Sequence, residues 1–145
     1  EQGGGATIAS YEPLGMSKGH IDFLAKALLW LEDKNRLFVH AGFDADDGVE
    51  KTSKETLIWG RELISKAVLL NGSCPQWEFG GYNEIFIGHT PTLKFDKNTP
   101  LKFCNVWVMD TGVACQGKLT IMDVDTKGYW QSDPVINRIA DRFIF

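Results

Sequence analysis

Cysteine is scarce in this chain. The three present, Cys74, Cys104 and Cys115, are odd in number and widely spaced, with no C-x-x-C pair. That pattern excludes a disulfide framework and a cysteine-built zinc site, and it predicts reduced thiols in a cytoplasmic protein. Long apolar runs are also missing, and nothing approaches the ~18 consecutive apolar residues of a membrane-spanning helix. Basic residues do not cluster. With 15 Lys and Arg against 19 Asp and Glu, the formal net charge is −4, which argues against nucleic acid or an anionic membrane surface as the main partner. Any phosphate site must therefore be local. The opening EQGGGATIAS has neither an initiating Met nor the basic-then-apolar order of a secretory leader, so the chain is expected to begin inside a longer protein. Internal repeats and low-complexity segments are absent too.

What remains has the make-up of a folded domain. At 145 residues, 43% hydrophobic and 12% aromatic, the chain is long enough to bury most of the surface its unfolded form exposes, so residues 1–145 are expected to form a single unit. Ser17 precedes KGHIDFLAKALLWLE, where Ile21, Leu24, Leu28 and Leu31 recur at helical spacing. This predicts an N-capped amphipathic helix with His20, a solvated or packing residue, in its first turn. RLFVH at residues 36–40 is a short β-favouring run closed by Ala-Gly. The DADDG that follows reads as a solvated acidic turn; as a calcium loop it fails, because Val49 stands where glycine is needed. Thr52 and Glu55 have capping-box spacing and predict a helix to about Val68, on which Leu57, Arg61, Ile64 and Val68 share a face. An arginine inside an apolar stripe either snorkels to water or meets a bound anion. Residues 71–83 read as a loop, and EIFIG, CNVWVMD and KLTIMDVD read as strands. The tail PVINRIADRFIF is expected as a final amphipathic helix or a docked strand.

Two of the three histidines, His40 and His89, stand where apolar strand-like runs stop, in RLFVHAGF and EIFIGHTPT. Loops at strand ends leave room for a ligand while the strands fix position. A neutral imidazole is the commonest metal ligand, Gly88 permits close backbone approach, and Pro91 stiffens the loop. Either histidine taken alone could equally be a packing residue.

Taken in order, RLFVHAGFD, LIWGREL, EIFIGHTPT and NVWVMDTGVACQGKLTIMDVD resemble the C-terminal half of the calcineurin-like metallophosphoesterases, over about residues 20–125. The likeness is to bacterial and phage serine/threonine protein phosphatases and to the related dinucleoside tetraphosphatases. GHTP followed by a strand and DTG is the most specific element. The resemblance implies an α/β fold, the C-terminal half of a four-layer sandwich of two mixed β-sheets flanked by helices. It implies that His40 and His89 ligate the second of two divalent ions, manganese, iron or zinc, and that Arg61 of Trp59-Gly60-Arg61 grips the substrate phosphate. Asp110 of the DTG segment is not a ligand in that family, and no residue here inherits a proton-transfer role. Thr90 and Pro91 after His89, in place of a second histidine, match the protein-phosphatase branch.

The sequence departs from the family where the N-terminal half would be. The D-x-H, G-D-x-x-D-R-G and G-N-H-E/D motifs do not occur, and GGGATIASY resembles the segment that follows the last of them. The expectation is a cytoplasmic phosphoester hydrolase whose remaining ligands lie in a missing N-terminal half, so that this chain alone is inactive and self-associates or awaits that half. Its substrate is a phosphoprotein or, as the alternative, a dinucleoside polyphosphate. Trp77, Phe79 and Tyr82 in the loop at residues 72–82 either stack on a base or cover the core. A reading of another class is a metal-free, non-catalytic interaction module.

Overall fold

Three short apolar runs decide the architecture. Leu37 and Val39, Ile85 and Ile87, and Val106 and Val108 are all at most 7% exposed, and alternate residues of a strand share one face. In the computed structural model, which describes residues 4–135, these runs are the central strands of a five-stranded mixed sheet. The strands are β1 (Trp30–Asp33), β2 (Arg36–Val39), β3 (Glu84–Ile87), β4 (Leu101–Phe103) and β5 (Val106–Val108), in spatial order β1-β2-β3-β5-β4. β2, β3 and β5 run parallel, and the two outer strands are antiparallel to their neighbours. A separate two-stranded antiparallel ribbon joins β6 (Thr120–Met122) to β7 (Tyr129–Gln131). The helices are α1 (Gly4–Ser10), α2 (Lys18–Leu24), α3 (Lys54–Trp59) and α4 (Glu62–Asn71). The chain is thus a mixed α/β structure, and none of its described helices is long and apolar enough to cross a membrane.

Register sorts the sheet into rows. Trp30, Val39, Ile87, Val108 and Leu101 form one row across all five strands, and Leu37, Ile85, Val106 and Phe103 continue the same face. Leu57 of α3 and Leu63, Ile64 and Ala67 of α4 join these residues in a single buried cluster. The opposite face carries the row Leu31, Phe38, Phe86, Trp107 and Lys102. On it Phe38 stacks on Phe86 at 5.0 Å and Phe86 on Trp107 at 6.3 Å, with Lys102 Nζ 5.5 Å above the Trp107 ring. Residues 123–128 latch over one end of this face: Lys127 Nζ lies 2.7 Å from Glu84 Oε2, and Asp125 Oδ1 lies 2.7 Å from Arg36 Nη2.

Two helix expectations are corrected. Ser17 does cap α2, its Oγ accepting from His20 N–H at 3.3 Å, but the helix stops at Leu24 and WLED becomes β1. Lys34 and Asn35, both at positive φ (49° and 59°), form the two-residue turn into β2, the conformation that matches strand twist in a hairpin. Pairing with β2 satisfies the backbone of Trp30–Asp33, and that tertiary gain overrides the local helical spacing. Leu28 and Leu31 accordingly stay 72% and 51% exposed. The second helix is capped by Ser53, whose Oγ accepts from Thr56 N–H at 3.1 Å. Thr52 instead closes the acidic loop, donating to Gly48 O at 2.9 Å and accepting from Asp44 N–H at 3.0 Å. Gly60 then breaks the helix: its backbone is extended (ψ 138°) and a Cβ there would stand 2.6 Å from Thr56 O. Arg61 therefore lies exposed at the start of α4, where it still lines one cavity with Ile64 and Val68, while Leu57 belongs to the preceding helix; Val68 is 36% exposed.

The remaining differences are small. LKF and YWQ form three-residue strands that the sequence pattern did not announce, and KLTIMDVD supplies a strand only over Thr120–Met122. His20 is exposed, its Nδ1 2.9 Å from the Tyr11 hydroxyl. In the loop after α4, Phe79 is buried, Tyr82 is half-buried with its hydroxyl donating to Glu32 Oε1 at 2.9 Å, and Trp77 is exposed. The expected tail element lies, from residue 136 onward, outside the described residues.

Candidate functional site

The site forms where the parallel strands end. Val39 of β2 is level with Ile87 of β3, and the ladder continues one step further as Gly88 N–H donates to His40 O at 2.8 Å. A Cβ on Gly88 would meet that oxygen at 3.4 Å, an ordinary contact. His89 then takes a left-handed backbone conformation, φ 60°, which for a residue other than glycine costs about 1 kcal/mol. With the chain turned there, the His40 and His89 rings are neighbours, their centroids 5.2 Å apart and planes inclined at 53°. Trp59, the last residue of α3, presents its ring edge-on to His89 at 5.3 Å and 77°. Ala41 N–H donates to Leu57 O at 3.0 Å and ties α3 to the loop that carries His40.

His89 is half-buried, and its Nε2 is fully buried without a hydrogen-bond partner among the described residues. Burial pushes its pKa down, the charges of Arg61 and His40 push the same way, and Asp110 opposes them. These effects together favour the neutral imidazole. The next residues share this condition: the Thr90 and Thr92 hydroxyls are also buried and unpartnered. Each such atom costs about 1–3 kcal/mol in a folded chain unless water or a ligand meets it. Backbone bonds fix the loop. Thr90 N–H donates to Gly88 O at 2.6 Å, and Thr92 N–H to Asp110 O at 2.7 Å. Asp110 Oδ1 accepts from Gly112 N–H at 2.9 Å, where φ is 81° and a Cβ would overlap Leu93. Asp110 thus closes its own turn.

Arg61 joins the same end of the sheet. Its N–H donates to Glu62 Oε2 at 3.0 Å, and its carbonyl accepts from the Ser65 hydroxyl at 2.8 Å. Among the described residues its guanidinium forms no ion pair. It lines a cavity of about 270 Å³ with Thr90, the residue after His89. All three residues singled out from the sequence therefore converge. Trp59 as a wall for His89, the buried hydroxyls of Thr90 and Thr92, and Lys94, which lines that cavity with Thr90, were missed. Only Thr90 carried a signal, since a residue before proline is held extended.

Two imidazoles side by side, one with a buried and unpartnered nitrogen, fit a pair of ligands to one divalent ion. A catalytic site takes at least three protein ligands, and no group of three or more His, Cys, Asp and Glu able to hold a metal occurs among the described residues. Compared with protein-family models and with curated proteins, the chain matches none.

Proposed function

We propose that this chain carries part of the centre of a two-metal phosphoester hydrolase of the calcineurin-like type, acting on phosphoserine or phosphothreonine in proteins. The observation that carries this reading is the buried Nε2 of His89, which has no partner among the described residues, beside the His40 ring, with Arg61, free of ion pairs among those residues, at the same strand ends. In this reading the sheet is one half of a four-layer sandwich. An open groove of about 450 Å³, lined by Leu29, Trp30, Phe38, Phe86, Met109 and His40, suits the packing of the other half, which would bring the remaining ligands. The loop after α4 favours a protein substrate over a dinucleotide, because Phe79 is buried and Tyr82 is held by Glu32, leaving Trp77 without a partner for stacking a base.

Each residue has a separate task. His40 and His89 would hold one divalent ion, manganese, iron or zinc. A bound pair of such ions supplies hydroxide at neutral pH and neutralises phosphate oxygens. Arg61 presents a planar fork of donors to the same oxygens, and Trp59 keeps the His89 ring oriented. In the full-length enzyme, His40→Ala and His89→Ala should each lower metal content and reduce phosphopeptide turnover by several orders of magnitude while the protein still folds. Unchanged metal content and rate in both variants would rule out the assignment.

A further inference from the structure

Beside the histidine pair lies a cavity of about 270 Å³ that the chemistry above uses only through Arg61. Ile64, Val68 and Phe95 form its apolar wall, and Arg61, Thr90 and Lys94 supply its polar groups. Lys94 sits in the 3-10 turn Thr92–Phe95, its N–H donating to Pro91 O at 3.0 Å, so its backbone is fixed relative to His89. Neither Lys94 nor Arg61 forms an ion pair among the described residues. Thr90 is 4% exposed and its hydroxyl has no partner. The Ser65 hydroxyl is already donated to the Arg61 carbonyl, so Thr90 is the hydroxyl left to donate.

Arg61 and Lys94, exposed and without an ion pair among the described residues, line one cavity and repel each other, weakly because water screens them. An oxyanion between them reverses the sign of the interaction, and a rotation of the Thr90 side chain, which lines the cavity with its hydroxyl turned inward, would give that hydroxyl an acceptor. A cation would meet like charge, and an uncharged apolar group would leave the hydroxyl unsatisfied. We infer that the cavity bounded by Arg61, Thr90 and Lys94 is a second oxyanion subsite, which takes an anionic side chain neighbouring the phosphorylated residue of the substrate. This rests on the phosphoprotein reading above and makes it more specific: the favoured substrate carries a second charge, from an acidic or a second phosphorylated residue.

The subsite can be tested without turnover. Inorganic phosphate titrated into the 145-residue chain, free of divalent metal and followed by amide NMR, should give saturable shifts at Thr90 and Lys94. Lys94→Ala and Thr90→Val should each weaken binding about tenfold, equivalent to about 1.4 kcal/mol. Lys97→Ala, outside the cavity, should not. In the full-length enzyme, the ratio of kcat/KM for a phosphopeptide with a neighbouring Glu over one with a neighbouring Ala should fall about tenfold in Lys94→Ala. A peptide with a neighbouring phosphoserine, run in parallel, tells which anion is preferred. Absence of saturable shifts, or shifts indifferent to Lys94, would overturn the subsite even if hydrolysis is confirmed. Phosphate binding that depends on Lys94 in a protein that hydrolyses no phosphoester would instead retain the subsite and sink the hydrolase.

Discussion

At the scale of single residues, His89 combines a strained backbone with a buried nitrogen that has no partner. Neither feature stabilises the metal-free chain, and His89→Gly removes both. Relief of the positive φ contributes about 1 kcal/mol, and loss of the edge contact with Trp59 takes away a comparable ~0.5–1.5 kcal/mol. The denaturant midpoint should therefore move little, while metal binding collapses. A loss of several kcal/mol would show that the ring is a packing residue. Arg61→Lys makes the complementary case. Arg61 is exposed, so the melting temperature should hold, but a lysine cannot present a two-donor fork, and kcat/KM should fall for every phosphoester. Unchanged kinetics would remove Arg61 from the site. The placement of His40 and His89 was legible, because an apolar run followed by a polar residue marks a strand end. Arg61 does share a wall with Ile64 and Val68, as the spacing predicts, but not with Leu57. The spacing of Leu57 and Ile64 runs on through Gly60, and only the backbone shows that the helix is interrupted there.

At the scale of elements, short apolar runs made β2, β3 and β5 legible; β3 buries Ile85 and Ile87 on one face and Phe86 on the other. β1, β4 and β7 were not, although each pairs with its neighbour in sequence, because runs of three or four residues are too short to show a period and WLED also fits a helical spacing. The latch over β2 and β3 was equally invisible. It centres on Glu84, which accepts from Trp107 Nε1 at 3.0 Å, Arg36 Nε at 3.2 Å and Lys127 Nζ at 2.7 Å. Burial pushes this carboxyl up, but the bonds from Lys127 and Trp107 outweigh it and hold the pKa below its usual value. A carboxylate depressed in the folded state contributes stability above its unfolded value, and that contribution is lost as pH falls through the folded one. Glu84→Gln should therefore cost about 2 kcal/mol near neutrality, and the difference from wild type should vanish below the ordinary carboxylate range of about 4. Equal stability at all pH values would show the latch to be ornamental. Tyr82 gives an alkaline counterpart: burial and the bond to Glu32 raise its pKa to about 12. A tyrosinate absorbance step near that pH, missing in Tyr82→Phe, is the expected signature.

At the scale of the whole molecule, the sheet has one face under α3 and α4 and another that is only partly covered. The row Leu31, Phe38, Phe86 and Trp107 is latched at one end by residues 123–128. At the other end it opens into the groove that reaches His40. Leu28, Leu29 and Leu31 beside that groove are 72%, 37% and 51% exposed, and β1 offers an unpaired edge among the described strands. Exposed apolar faces next to free edges associate, and two imidazoles are too few ligands for a catalytic ion. The chain by itself should therefore self-associate and be catalytically silent, and both properties should trace to the same surface. Leu31→Lys places a charge on the edge strand and on the open face without touching the buried cluster. It should shift sedimentation equilibrium towards monomer at a cost in stability of less than about 1 kcal/mol. It should also remain inactive towards p-nitrophenyl phosphate in manganese. Adding the segment that carries the missing ligands should restore hydrolysis to wild type, and less effectively to Leu31→Lys, because that segment would dock on the altered face. Strong manganese-dependent hydrolysis by the monomeric variant alone would overturn the scheme, since it would require a complete centre built from residues that here close turns, cap helices and latch loops.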